Sequence, residues 1–146
     1  MIEANAVNVL GVAVSPINLG IALARIAAAV EKKEKGYVCV TGVHGVSEAQ
    51  IDPGFRQILN RAFLCAPDGM PLVWVGRWRG QRQMGRVYGP DLMLAVLELS
   101  EKTGYRHFFY GGANGAAAAS KRRSQPASPA SPTTRPGARR LVATRM

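Results

Sequence analysis

Apolar residues at Leu19, Leu23, Ile26 and Val30 recur at the i, i+4, i+7, i+11 spacing of one helix face. Ser15-Pro16 or Asn18 can cap that helix, and the charged run Glu31 to Lys35 followed by Gly36 supplies its stop. Tyr37-Val38-Cys39-Val40 then changes the period: a continuous apolar run is what a strand buried on both faces shows. Upstream, residues 4–24 carry no charge, but Asn5, Asn8, Ser15, Pro16 and Asn18 interrupt them. A short strand entering a helix is expected there rather than a membrane span, and Glu3 in place of a basic lead speaks against a signal peptide.

The unit repeats in kind. Asp52-Pro53 reads as cap and first residue of a helix with Phe55, Ile58, Leu59 and Ala62 on one face. Phe63-Leu64-Cys65-Ala66 is a second buried strand, ended by Pro67-Asp68-Gly69. A helix from about Pro71 carries Leu72, Val73 and Val75. Pro90 opens another, with Met93, Val96 and Leu97 inward and Gly104 as its stop. His107-Phe108-Phe109-Tyr110 is a third strand, ended by Gly111-Gly112. Strands alternating with helices predict an α/β fold, a parallel sheet with helices on its faces.

Composition changes this picture at one place. The chain of 146 residues has a formal net charge of +10. Residues 1–115 hold 12 Lys and Arg against 9 Asp and Glu, whereas residues 116–146 hold seven basic residues and no acid. The same segment is rich in Ala, Ser and Pro, has no aromatic residue and follows neither period, so a disordered basic tail is expected. The abrupt change near residues 115–120 also fits a reading-frame shift. On that expectation the body, residues 1–115, is an incomplete domain, prone to self-association through uncovered apolar faces, and inactive as it stands. The competing class is a non-enzymatic protein whose tail holds nucleic acid or anionic membrane. The mildly basic body gives no reason to expect nucleic acid. Cys39 and Cys65 form no CxxC motif and are expected to be buried free thiols in a reducing compartment.

Three strand-to-helix turns carry the candidate chemistry, because ligands of open α/β sheets bind beyond the carboxyl ends of the strands. Asp68, between Pro67 and Gly69, can serve there as a general base or simply as a helix cap. Thr41-Gly42-Val43-His44-Gly45 combines a hydroxyl, an imidazole and glycines that admit close backbone approach, and reads equally as an ordinary turn with a surface histidine. Gly111-Gly112-Ala113-Asn114-Gly115 can present backbone N–H groups to a diphosphate. Asp52, Asp68 and Asp91 form no DxD pair, two isolated histidines suggest no metal site, and no serine sits in a GxSxG elbow.

Taken in order, APDGMPLVWVGRWRG, RVYGPDLMLAVLELSEKTG and HFFYGGANG resemble the WecG/TagA/CpsF glycosyltransferase family, from about Val9 to Gly115. The resemblance implies a Rossmann-like domain and an inverting transfer of a sugar, such as N-acetylmannosamine, from a UDP-sugar to a polyprenyl-diphosphate-linked acceptor. It places the enzyme on the inner face of the plasma membrane, in cell-surface polysaccharide or teichoic acid synthesis, without a cofactor. Asp68 then matches the base and Thr41 lines the acceptor side. His44, Gly69, Tyr88, Gly89 and Asp91 belong to substrate binding, and Gly111 and Gly112 to the nucleotide diphosphate. Two departures stand out. Many members carry Thr-x-Asn where this chain has Thr41-Gly42-Val43-His44, and members continue well beyond the Gly-Gly turn with nucleotide-binding and membrane-attaching parts.

Overall fold

The computed structural model describes residues 5–110 together with Ala143 and Thr144. The chain begins with a hairpin, β1 (Val7–Val9) antiparallel to β2 (Val12–Val14). Leu10 and Gly11 take φ of +50° and +84°, the positive pair that a two-residue primed turn requires. The Asn8 side chain accepts the Gly11 N–H at 2.8 Å and fixes the turn. The single strand expected here is thus folded back on itself. Asn18, extended, caps α1 (Leu19–Glu31) by accepting the Ile21 N–H at 3.0 Å.

β3 (Val38–Thr41) and β4 (Leu64–Pro67) form the parallel pair, in register Val38 to Leu64 through Thr41 to Pro67. Between them run α2 (Val43–Ile51) and α3 (Pro53–Arg61), joined at Asp52 alone. Its N–H bonds the Glu48 carbonyl to close α2, and its carboxylate accepts the Phe55 N–H at 3.0 Å to open α3. The opposite side of β4 meets the end of the hairpin. Cys65 receives the Ser15 N–H at its carbonyl (2.9 Å) and donates its own N–H to the Ser15 hydroxyl (3.1 Å).

Side chains alternate across β4, and both faces are covered. Leu64 and Ala66 pack with Ile17, Ala22 and Ile26 of the α1 side and with Val87 and Leu92. Cys65 packs on the other face with Val12, Val14, Val46, Leu59, Leu72 and Met84. Two further helices complete the layers, α4 (Met70–Trp78) and α5 (Gly89–Thr103), the latter closed by Gly104 at φ +72°.

The architecture is therefore mixed α/β with one parallel pair at its centre. It differs from the expected continuous parallel sheet: the third strand shortens to β5 (Phe109–Tyr110), which pairs antiparallel with β6 (Ala143–Thr144). Phe108 stays 71% exposed, so the apolar run at His107 is not buried on both faces as a central parallel strand would be. Of the expected tail, only these two residues are described. Some inward faces also rotate. Ala22 and Ala29 are buried with Ile26, while Leu19, Leu23 and Val30 are half-buried, and Ile58 lies mostly in solvent. Cys65 is buried as expected, but Cys39 is only half-buried.

Candidate active site

The carboxyl ends of β3 and β4 lie side by side, and the chain leaves both through glycine. The Asp68 N–H extends the parallel ladder by one bond, to the Thr41 carbonyl at 2.8 Å. Beside it Gly42 has no room for a side chain, since a Cβ there would lie 2.6 Å from the Asp68 carbonyl oxygen. Gly69, at φ +141°, holds a backbone conformation that glycine adopts without penalty and turns the chain directly into α4. At this strand end the Asp68 side chain is 28% exposed.

The segment after α4 returns to the same place. Gly85 donates to the Ile17 carbonyl at 3.0 Å and Val87 to the Pro67 carbonyl at 2.8 Å, pinning residues 85–87 along the end of β4. Arg86 and Tyr88, two apart, share a side. The Arg86 Nε donates to Asp68 Oδ1 at 3.2 Å, and its guanidinium carbon sits 4.8 Å from the centre of the Tyr88 ring. The aromatic face restrains the guanidinium, and the guanidinium restrains the carboxylate. The cation engages Oδ1, and a carboxylate so held still has a second oxygen, Oδ2, that can accept a hydrogen bond or a proton. The guanidinium can also meet an anionic ligand.

Of the residues singled out by sequence, the structure brings Asp68, Gly69, Thr41, Tyr88 and Gly89 to one end of the parallel pair. Gly89 opens α5 against Val40, whose side chain would lie 3.6 Å from a Cβ at that position. Thr41 is buried beneath the first turn of α2, with Oγ1 against Gly45, so it shapes the turn rather than the open surface. His44 is exposed in that first turn. Asp91 is exposed in the first turn of α5, where a carboxylate suits the positive end of the helix dipole. Gly111 and Gly112 lie outside the described residues.

Arg86 is the residue that sequence reasoning missed. Only its local conformation had a signal: in Arg86-Val87-Tyr88, a buried valine between two polar-tipped residues is the period of an extended segment, and nothing in that pattern points to Asp68.

Away from this end, the Cys39 and Cys65 thiols occupy facing register positions of β3 and β4. Burial pushes the Cys65 thiol up to about 12, with the neighbouring Cys39 adding to the effect, and burial raises Cys39 as well.

Comparison with known proteins adds a family. Residues 7–131 match the profile of the glycosyl transferase WecG/TagA/CpsF family. Over 82 residues the chain is 32% identical to the N-acetylglucosaminyldiphosphoundecaprenol N-acetyl-beta-D-mannosaminyltransferase of Bacillus spizizenii. The matched stretch is 56% of this chain and 32% of that relative, so the chain spans about a third of the relative's length.

Proposed function

The chain belongs to the WecG/TagA/CpsF glycosyltransferase family, and on that premise we propose that the Asp68 end of the parallel pair is the acceptor side of an inverting sugar-transfer site. The fold is taken as part of a Rossmann-like domain. The donor is a UDP-sugar such as UDP-N-acetylmannosamine. The acceptor is a polyprenyl-diphosphate-linked sugar presented at the inner face of the plasma membrane, for cell-surface polysaccharide or teichoic acid synthesis. The name of the Bacillus relative supports the acceptor class and the transferred sugar.

The observation that carries the reading is Asp68, one residue beyond β4 and held by Arg86 at 3.2 Å. In the transfer, Asp68 removes the proton from the acceptor hydroxyl as its oxygen attacks the anomeric carbon of the donor. The bond from that carbon to UDP breaks, and UDP leaves with the electron pair. One base on the acceptor side and positive charge near the diphosphates are the requirements of such a displacement. Arg86 supplies the positioning contact, and Gly69 and Gly42 let the backbone come close. Thr41 supports the turn, His44, Tyr88, Gly89 and Asp91 border the acceptor, and Gly111 and Gly112 are assigned to the donor diphosphate. No cofactor takes part.

The test titrates a short-chain polyprenyl-diphosphate N-acetylglucosamine into the full chain and follows amide resonances. Saturable shifts centred on Thr41, Gly42, Asp68 and Gly69 are expected, and shifts centred elsewhere, or none, refute the site. Transfer from UDP-N-acetylmannosamine is followed in parallel. This chain is expected to show no turnover as it stands; should it transfer, Asp68→Asn lowers the rate by about 10²–10⁴-fold, and a rate equal to wild type would rule Asp68 out as the base.

A further inference from the structure

One outward face of α4 is not used by the site. Leu72, Val73 and Gly76 of this helix are buried, while Met70, Trp74 and Trp78 follow each other at four-residue spacing on the solvent side. Trp74 is 61% exposed and Trp78 85%. Arg77 shares the face and is exposed, its Nε tied to the Met84 carbonyl at 2.9 Å; Arg79 and Arg82 follow, both exposed. Residues 69–90 contain Arg77, Arg79, Arg82 and Arg86 but no acidic residue, and only Arg86 is paired with a described carboxylate.

We propose that this Trp/Arg face of α4 is a docking surface for an anionic lipid bilayer. Indole rings combine an apolar body with an N–H and settle at the level of lipid headgroups, where arginine meets phosphate. Among the described residues no helix is long and apolar enough to cross a membrane, so the contact is an interfacial one, the helix lying along the surface. Charge selects the occupant. A second copy docking through the same face would set Arg77, Arg79 and Arg82 against their own counterparts, with no acid in the segment to neutralise them. An anionic surface meets all three favourably. The inference deepens the function proposed above, because α4 starts one residue beyond Gly69, next to Asp68. It gives a membrane-held acceptor and the site a common surface.

Trp74 and Trp78 are the chain's two tryptophans, so emission excited selectively from tryptophan reports this face. The full chain is mixed with vesicles of phosphatidylcholine, with or without phosphatidylglycerol, some carrying brominated acyl chains. The vesicles contain neither sugar donor nor polyprenyl acceptor, so the outcome is independent of transfer activity. A blue shift and bromine quenching with phosphatidylglycerol vesicles, both reversed by high salt, are expected. The double change Arg79→Glu with Arg82→Glu should weaken vesicle affinity by about tenfold or more. Trp78→Ser should weaken it too while leaving the circular dichroism unchanged, with Trp74 still reporting. Three results would overturn the proposal. One is co-sedimentation with vesicles while the emission stays unshifted and unquenched, which would place the contact on other basic residues. Another is a blue shift without vesicles that grows with protein concentration, which would make the occupant a second copy. The third is no response, or an equal response to phosphatidylcholine alone.

Discussion

Replacing Gly42 by alanine should destabilise the fold, although glycine-to-alanine changes at ordinary backbone angles usually do the reverse. Gly42 has φ −112° and ψ −166°, extended values open to any residue, so backbone strain is not involved. Reduced freedom of the unfolded chain would by itself favour alanine by about 0.4–1 kcal/mol. The opposing effect is a collision, because the new Cβ lands 2.6 Å from the Asp68 carbonyl oxygen, whereas ordinary contact begins near 3.4 Å. Neither partner is the far end of a flexible side chain. The two strand ends are tied through the Asp68 N–H to Thr41, so relief requires a backbone shift of roughly 0.8 Å. Overpacking of this kind costs about 1–3 kcal/mol, which leaves a net loss of about 0.5–2 kcal/mol once the unfolded-state gain is set against it. Gly20→Ala is the matched control: the position is exposed in the first turn of α1, and its Cβ would meet only Asn18 Oδ1, at 3.5 Å. That variant should gain about 0.5–1 kcal/mol. Urea unfolding followed by far-UV circular dichroism measures both. Were Gly42→Ala as stable as wild type or more so, with Gly20→Ala behaving as described, the close-approach reasoning would be refuted.

Three further outcomes can be checked on the same material. Arg86→Ala should cost less than about 1 kcal/mol, because the pair with Asp68 is half in solvent; a larger shift of the urea midpoint would mean that Arg86 holds the fold and not only the carboxylate. Asn18→Ala should cost about 1–2 kcal/mol, since the residue caps α1 and also donates to the Gln83 carbonyl at 3.2 Å. Asn18→Asp should recover only the capping part of that loss in the same unfolding experiment, because a carboxylate has no N–H for the Gln83 carbonyl, and no recovery would contradict the capping role. Cys65 holds its proton in the folded chain up to about 12, against an ordinary value of 9.0. Its contribution to stability is therefore complete below pH 9 and is lost as pH rises from 9 toward 12. Cys65→Ala should flatten the alkaline slope of stability in that window, whatever it costs at neutral pH, and an unchanged slope would show that other groups set it.

Three helix boundaries were legible because they are written in local chemistry. Asn18, Asp52 with Pro53, and Gly104 mark boundaries that hold to within a residue. By contrast, α2, opened by Gly42 without a side-chain cap, was not expected as a separate helix, and α1 closes at Lys32 and Lys33 rather than at Gly36. The hairpin was not legible, because Leu10 at φ +50° is not a residue expected in a left-handed turn; Asn8 and the strands around it hold it there. Asp68 could be placed from the strand that precedes it. Its partner could not: Arg86 is 18 residues away in sequence and reaches the strand end only because Val87 bonds Pro67. Thr41 shows the converse. Expected just past a buried strand, it is the last residue of β3, paired with Pro67, and the rest of that strand is half-buried. The direction of its side chain, under α2, depends on Gly45 leaving space, and no spacing rule contains that.

The Asp52 elbow has a practical consequence for anyone cutting or extending this chain. Both it and the Lys32–Lys35 stretch are exposed, so by accessibility alone either would suit a tag, a protease site or new termini. They are not equivalent. At Asp52 one residue ends one helix with its amide and starts the next with its carboxylate, so a single inserted residue would divide two duties that the chain assigns to the same position. In the lysine stretch, Lys32, Lys33 and Glu34 donate the closing N–H bonds of α1, with Lys33 at φ +56°, and Lys35 is the first residue past those bonds on the way to β3. Insertions should be tolerated after those bonds, at Lys35, and felt at once in the elbow, which makes Lys35 the place to open the molecule.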